Sequence, residues 1–118
     1  MSDTPIKTTS EQKRQQGRLR VSIDGHYRFE GEEEWLVCTV FDISPSGMAL
    51  GGKKSFYAGD KIEVRFGLDK KTILAHLEIT NLIGKKAGGK VLKMSDGDRA
   101  YVQEILNREL LSGNTRLS

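Results

Sequence analysis

Cysteine is nearly missing from this chain. Cys38 is the only one among 118 residues and there are 2 His, His26 and His76. That excludes an intramolecular disulfide framework and leaves too few ligands for a structural zinc site. Proline occurs only twice, and the aromatic residues are 4 Phe, 3 Tyr and 1 Trp. That is a thin supply for a sheet that stacks the bases of a single-stranded nucleic acid. No apolar run approaches the ~20 residues that cross a bilayer as a helix. The first residues hold no apolar segment of the kind that opens a secretory signal. The expectation is a cytoplasmic protein in a reducing compartment, without membrane insertion. Glycine, at 13 residues, is the turn-forming type in excess, which favours tight turns over disorder. The length suits one domain able to bury its own core.

The charge is unevenly placed. Lys and Arg number 19 and Asp and Glu 16, a net charge of +3. Within residues 1–20, Lys7, Lys13, Arg14, Arg18 and Arg20 are opposed only by Asp3 and Glu11. This segment holds the entire surplus, and the remainder is balanced. A basic arm beside a neutral body points to an anionic partner that the arm touches. A solvated, mobile tail is the plain alternative.

From Met1 to about Gly17 the chain is polar and aperiodic, and reads as a flexible arm. Val21, Ile23, Tyr27 and Phe29 then alternate with polar residues, with Gly25 as a candidate bulge. Gly31 and Glu32-Glu33-Glu34 form a hairpin tip. Trp35–Ile43 is a second strand, rich in aromatic and β-branched residues. Ser44-Pro45-Ser46-Gly47 is a turn, and Met48–Leu50 a short strand ended by Gly51-Gly52. Ile62, Val64, Phe66 and Leu68 alternate with Lys61, Glu63, Arg65 and Gly67. Asp69-Lys70-Lys71 turns the chain into a long strand from Ile73 to Ile83. Gly84–Gly89 reads as a loop and Lys90–Met94 as the last strand. The period then becomes helical, with Ser95 as N-cap, Asp96 and Asp98 at the positive end of the dipole, and Tyr101, Val102, Ile105, Leu106 and Leu110 on one face. Gly113 is a plausible stop. Six or so strands at short spacing followed by one helix imply a small closed or nearly closed antiparallel barrel, with the helix covering one opening or edge.

Several apparent motifs fail. Gly47–Lys54 reads G-x-x-x-x-G-K-K, but Lys54 stands where a nucleotide-binding P-loop needs Ser or Thr, and no helix follows. Asp42–Lys53 begins like a calcium loop, yet Lys53 replaces the bidentate Glu. Cys38 sits in an apolar strand as a small hydrophobe. His26, His76 and the Glu32–Glu34 run find no partner with which to form an acid–base pair, so no catalytic residue and no enzyme is indicated.

One constellation remains. Arg14 and Arg18 form R-x-x-x-R just before the first strand. Asp42, Ser44 and Gly47 form D-x-S-x-x-G at the turn after the second. From average residue usage, both in this order and setting should arise by chance in on the order of one chain in a hundred or fewer. In these motifs the chain resembles the PilZ domain, a bacterial receptor module for cyclic di-GMP, from about Gln12 to Leu111. The resemblance implies an all-β fold, a six-stranded antiparallel β-barrel with a C-terminal α-helix and a flexible basic N-terminal arm, in a domain over residues 12–112 with the barrel at about 20–94 and the helix at about 97–111. Residues 1–11 would be an arm and 113–118 a tail. It implies cyclic di-GMP binding by Arg14, Arg18, Asp42, Ser44 and Gly47, with Lys13, Arg20 and Ser46 as additional candidates. No metal or cofactor is implied. In the family that the chain resembles, the residue before the first Arg is associated with ligand number, and the basic Lys13 there implies two stacked molecules.

The chemistry agrees with the residue types. Arg presents a planar fork that fits a phosphate or the O6/N7 edge of guanine, and it stacks on purines. Asp42 can accept from the guanine N1–H and N2–H₂ donors, a pairing adenine lacks. Ser44 can donate a further hydrogen bond, and Gly47 allows close backbone approach. The mechanism expected is an arm that orders over a fixed site and relays the signal to a protein partner. The expected affinity is low- to sub-micromolar, about −8 to −10 kcal/mol. The alternatives are a PilZ-like adaptor that binds protein and no nucleotide, and an OB-like binder of single strands. The neutral body and sparse aromatics argue against DNA or RNA. The sequence does not select among motility, exopolysaccharide and virulence outputs.

Overall fold

The computed structural model describes residues 18–112. Alternation sets the strands. In β4 (Lys61–Leu68), Ile62, Val64, Phe66 and Leu68 are buried while Lys61, Arg65 and Gly67 face solvent. In β5 (Lys71–Ile83), Ile73, Ala75, Leu77 and Ile79 turn inward in the same way. With β1 (Leu19–Phe29), β2 (Leu36–Ile43), β3 (Gly47–Gly52) and β6 (Lys86–Met94), these strands close into a barrel of order β1-β2-β3-β6-β5-β4. Every ladder is antiparallel, and the β1–β4 pairing from Gly25↔Phe66 to Phe29↔Ile62 completes the ring. Closure satisfies backbone groups that an open edge would expose. The expected six-stranded barrel with one C-terminal helix is therefore the observed fold; the expected arm over residues 1–11 lies outside the described residues.

Three glycine readings change. Gly84–Gly89 is not all loop, because β6 begins at Lys86 and carries Gly88 and Gly89 within the sheet. The weak strand preference of glycine is overridden by close packing: a Cβ on Gly89 would lie 3.1 Å from the Glu78 carbonyl oxygen. Gly51 and Gly52 belong to β3, and Gly52 lies under the Tyr27 ring, 2.8 Å from where its Cβ would be. Gly25 is no bulge. It pairs regularly on both sides, and the β1 irregularity falls between Arg20 and Ile23. Gly25 is needed because a Cβ would come within 2.7 Å of the Arg65 carbonyl oxygen.

The helix α1 (Asp96–Ser112) starts as its sequence indicates, with Ser95 Oγ accepting the Asp98 N–H at 3.1 Å. It buries Val102, Ile105 and Leu106 in the core shared with the barrel. Each such side chain contributes about 1.5–3 kcal/mol of burial. Asp98, only 9% exposed, accepts the Leu74 N–H at 3.2 Å and pairs with Lys71 Nζ at 3.2 Å, which fastens α1 to the first residues of β5. No described helix is long and apolar enough to cross a membrane.

Candidate functional site

Three bulges shape one outer face of the barrel. In β2, Val40 pairs with Leu50 but Asp42 pairs with Ala49, which leaves Phe41 as an extra residue. The parity of the strand switches there. Cys38 and Val40 point inward, as does Ile43, and Asp42 is released to the outside. A second bulge lies in β1 between Arg20 and Ile23. A third lies in β5, where Ile79 pairs with Gly89 and Asn81 with Gly88, which leaves Thr80 and Asn81 both exposed. Bulges next to functional sites re-aim side chains in this way.

The released Asp42 accepts a charge-assisted hydrogen bond on Oδ1 from Arg18 Nη1 at 2.9 Å. The two side chains are 43% and 25% exposed, so both remain open to a ligand. Ser44 is built differently. It is 2% exposed, its Oγ accepts the Gly47 N–H at 3.1 Å and the Ser46 N–H at 3.3 Å, and it donates to the Gly47 carbonyl at 3.1 Å. Ser44 thus lies beneath the turn and holds its shape. Gly47 is not among the glycines with positive φ, which are Gly31, Gly59 and Gly84. It is there for close approach: a Cβ would lie 2.9 Å from the Gly89 carbonyl oxygen and 3.5 Å from Arg18 Nη2.

These residues border a groove of about 370 Å³, within the range of small-ligand sites. Its floor is Gly47, Ala49, Ala87, Gly88 and Gly89, and its rim is Arg18, Asp42, Ser46, Thr80, Asn81, Ile83, Lys86 and Lys90. A flat floor almost without side chains accepts a planar group, and three cationic side chains on the rim favour an anion. The turn is also tied outward. Arg99 of α1 donates from Nη1 to the Pro45 carbonyl at 2.9 Å, and the Val91 N–H donates to the Ser46 carbonyl at 2.8 Å.

Of the candidates read from the sequence, Arg18, Asp42, Ser46 and Gly47 meet at this groove, and Ser44 supports it from below. Arg20 is exposed on β1 opposite Asp42 and does not line the groove. Lys13 and Arg14 lie outside the described residues. Sequence reasoning missed Thr80, Asn81, Lys86, Gly88, Gly89 and Lys90, which arrive from β5 and β6. The Gly88-Gly89 pair was the available signal, taken for a loop. Away from the groove, burial foremost and then the Asp24 carboxylate push the Cys38 thiol up to about 11, in keeping with an inert core position.

The family model described as the PilZ domain matches residues 12–108. No curated protein matches the chain. Among solved structures, the fold is similar to the Bacillus subtilis inhibitor of motility (MotI/DgrA), with a TM-score of 0.71 and 18% identity over 85% of this chain and 52% of that one. This chain therefore spans about half the length of that protein. It is also similar to the PilZ domain of CeSA from a cellulose-synthesizing bacterium, with a TM-score of 0.57 and 13% identity over 81% of this chain and 95% of that one.

Proposed function

The chain belongs to the PilZ domain family, and from that premise we propose that it is a receptor for cyclic di-GMP. PilZ domains are typically binding domains without catalysis, and the groove contains the groups such a ligand needs. The observation that carries the reading is the Arg18–Asp42 pair at the edge of a glycine-floored, cationic groove. Arg18 supplies the fork for a phosphate or a guanine O6/N7 edge. Asp42 accepts from the guanine N1–H and N2–H₂ donors, which selects guanine over adenine. Gly88 and Gly89 admit a purine face, and Lys86 and Lys90 answer phosphate charge. Arg14 completes the R-x-x-x-R motif and, with Lys13, serves a second stacked ligand. The basic arm closes over the bound ligand and passes the signal to a protein partner.

Calorimetric titration of cyclic di-GMP tests this, with cyclic di-AMP and GMP as controls. Saturable binding at low micromolar concentration, weakened by about tenfold or more in both Arg18→Ala and Asp42→Ala, is the expected result. No heat at about 100 μM ligand, well above the expected dissociation constant, refutes it. That outcome leaves the adaptor reading, in which the same groove edge binds protein alone.

A further inference from the structure

The end of the barrel away from the Asp42–Gly47 turn gathers four carboxylates on one connection and four ammonium groups on two others, with Lys61 of β4 beside the acidic one. Three connections meet there, because Tyr27 pairs with Leu36, Cys38 with Gly52, and Leu50 with Ala87. The β1–β2 tip carries Glu30, Glu32, Glu33 and Glu34, all exposed. The β3–β4 connection carries Lys53 and Lys54, and the β5–β6 tip carries Lys85 and Lys86, also exposed. Among the described residues none of these four carboxylates pairs with a base, and none of these four ammonium groups pairs with an acid. Between the basic connections opens a cleft of about 600 Å³ lined by Lys53, Lys54, Lys85 and Lys86 together with Tyr57 and Leu82. Tyr57 is 69% exposed and Ile83, on the same tip as Lys85, 68%.

We propose that this end of the barrel is a self-association surface, and that its occupant is a second copy of the chain. The argument is charge balance. A polyanion drawn to the four lysines also meets four carboxylates on the same end, and so does an anionic bilayer. A partner that fits must carry both signs, in the opposite arrangement. A second copy related by a two-fold axis lying across this end supplies that arrangement. The acidic tip of each copy faces the basic cleft of the other, so the contact closes as a dimer and does not propagate. Exposed Tyr57 and Leu82, which line the cleft, give the contact an apolar component, and the charges set register and encounter rate.

Sedimentation equilibrium tests the proposal. At low salt the mass rises above the 13.2 kDa of one chain towards twice that value as concentration increases. It falls back at about 0.5 M salt, where screening is strong. Two charge-reversed proteins decide the interface. One carries E32K, E33K and E34K; the other carries K53E, K54E and K85E. All six positions are exposed, and circular dichroism checks that both proteins fold. Each alone stays at the mass of one chain, and an equimolar mixture recovers the dimer, because the basic tip of one protein meets the acidic cleft of the other while the second contact keeps its native signs. A wild-type protein that remains a single chain at about 1 mM overturns the proposal. So does a dimer that persists in both reversed proteins, and so does binding to phosphatidylserine vesicles by a protein that stays a single chain. None of these readings depends on cyclic di-GMP.

Discussion

Two glycines on the same groove should respond in opposite ways to the same added methyl. At Gly47 a Cβ would lie 2.9 Å from the Gly89 carbonyl oxygen. That oxygen is backbone, held in the β3–β6 ladder by the Gly47↔Lys90 and Met48↔Gly89 pairings, so it can yield only by moving a strand. At Gly88 a Cβ would overlap Asn81 Oδ1, which is nearer still, but Asn81 is exposed and its amide can swing into solvent. Gly47→Ala should therefore cost about 1–3 kcal/mol, the usual penalty of overpacking. Gly88→Ala keeps a negative-φ backbone. It gains about 0.4–1 kcal/mol from the stiffer unfolded chain, which roughly offsets the rotation of Asn81. Each kcal/mol moves the melting temperature by about 4–8 °C for a domain of about this size. Thermal unfolding should then show Gly47→Ala lowered by ~4–24 °C and Gly88→Ala within a few degrees of the wild type. Both methyls intrude on the groove floor, so Gly88→Ala should lose ligand affinity while keeping its stability. Equal destabilisation of the two variants, or an unchanged Gly47→Ala, would refute the reasoning about which neighbour can yield.

Asp42→Ala should barely change stability, because a solvent-exposed ion pair is worth about 0–1 kcal/mol. It should weaken cyclic di-GMP binding by about tenfold or more, the worth of a charged hydrogen bond, as read by urea unfolding and calorimetry on one sample. Arg99→Ala frees the Pro45 carbonyl without touching the groove; ligand affinity should fall by about 2- to 10-fold, the range of one hydrogen bond, and Arg18→Lys should lose more. Alkaline pH should destabilise the fold. Cys38 titrates near 9.0 when exposed and near about 11 when buried. Its contribution is complete below pH 9 and is lost as pH rises from 9 to 11, because the unfolded chain releases the proton first. The Cys38 part of the loss should reach about 2–3 kcal/mol; Cys38→Ala should remove that part and leave the loss due to Tyr27, whose phenol burial also pushes up, measured by urea midpoints between pH 8 and 11.

The barrel was legible because its inward residues are strongly apolar and strictly alternating, most clearly from Ile62 to Leu68 and from Ile73 to Ile79. Ser95 declared the helix because an N-cap is a local interaction. The glycine-rich β6 was not legible as a strand. The reason for Gly88 and Gly89 is the approach of β3 and β5, segments distant in sequence. Half of the candidate site was legible for a similar reason of locality: Arg18, Asp42 and Gly47 sit in two short motifs. The other wall comes from β5 and β6, and nothing near Asn81 or Lys90 in the sequence marks them as facing Asp42. The bulge at Phe41 lay in plain view as the break from Cys38 and Val40 to Ile43, but its consequence, an acid turned outward, emerges only once the strands are paired.

The most direct test of the central claim is a ¹⁵N–¹H correlation spectrum recorded while cyclic di-GMP is added. The amides of Arg18, Asp42–Gly47 and Gly88–Lys90 should shift and saturate together. Amides on the far side of the barrel, such as those of Arg65 and Gly67, should stay in place. Shifts confined to that far side, or a spectrum unchanged at about 1 mM ligand, would contradict it.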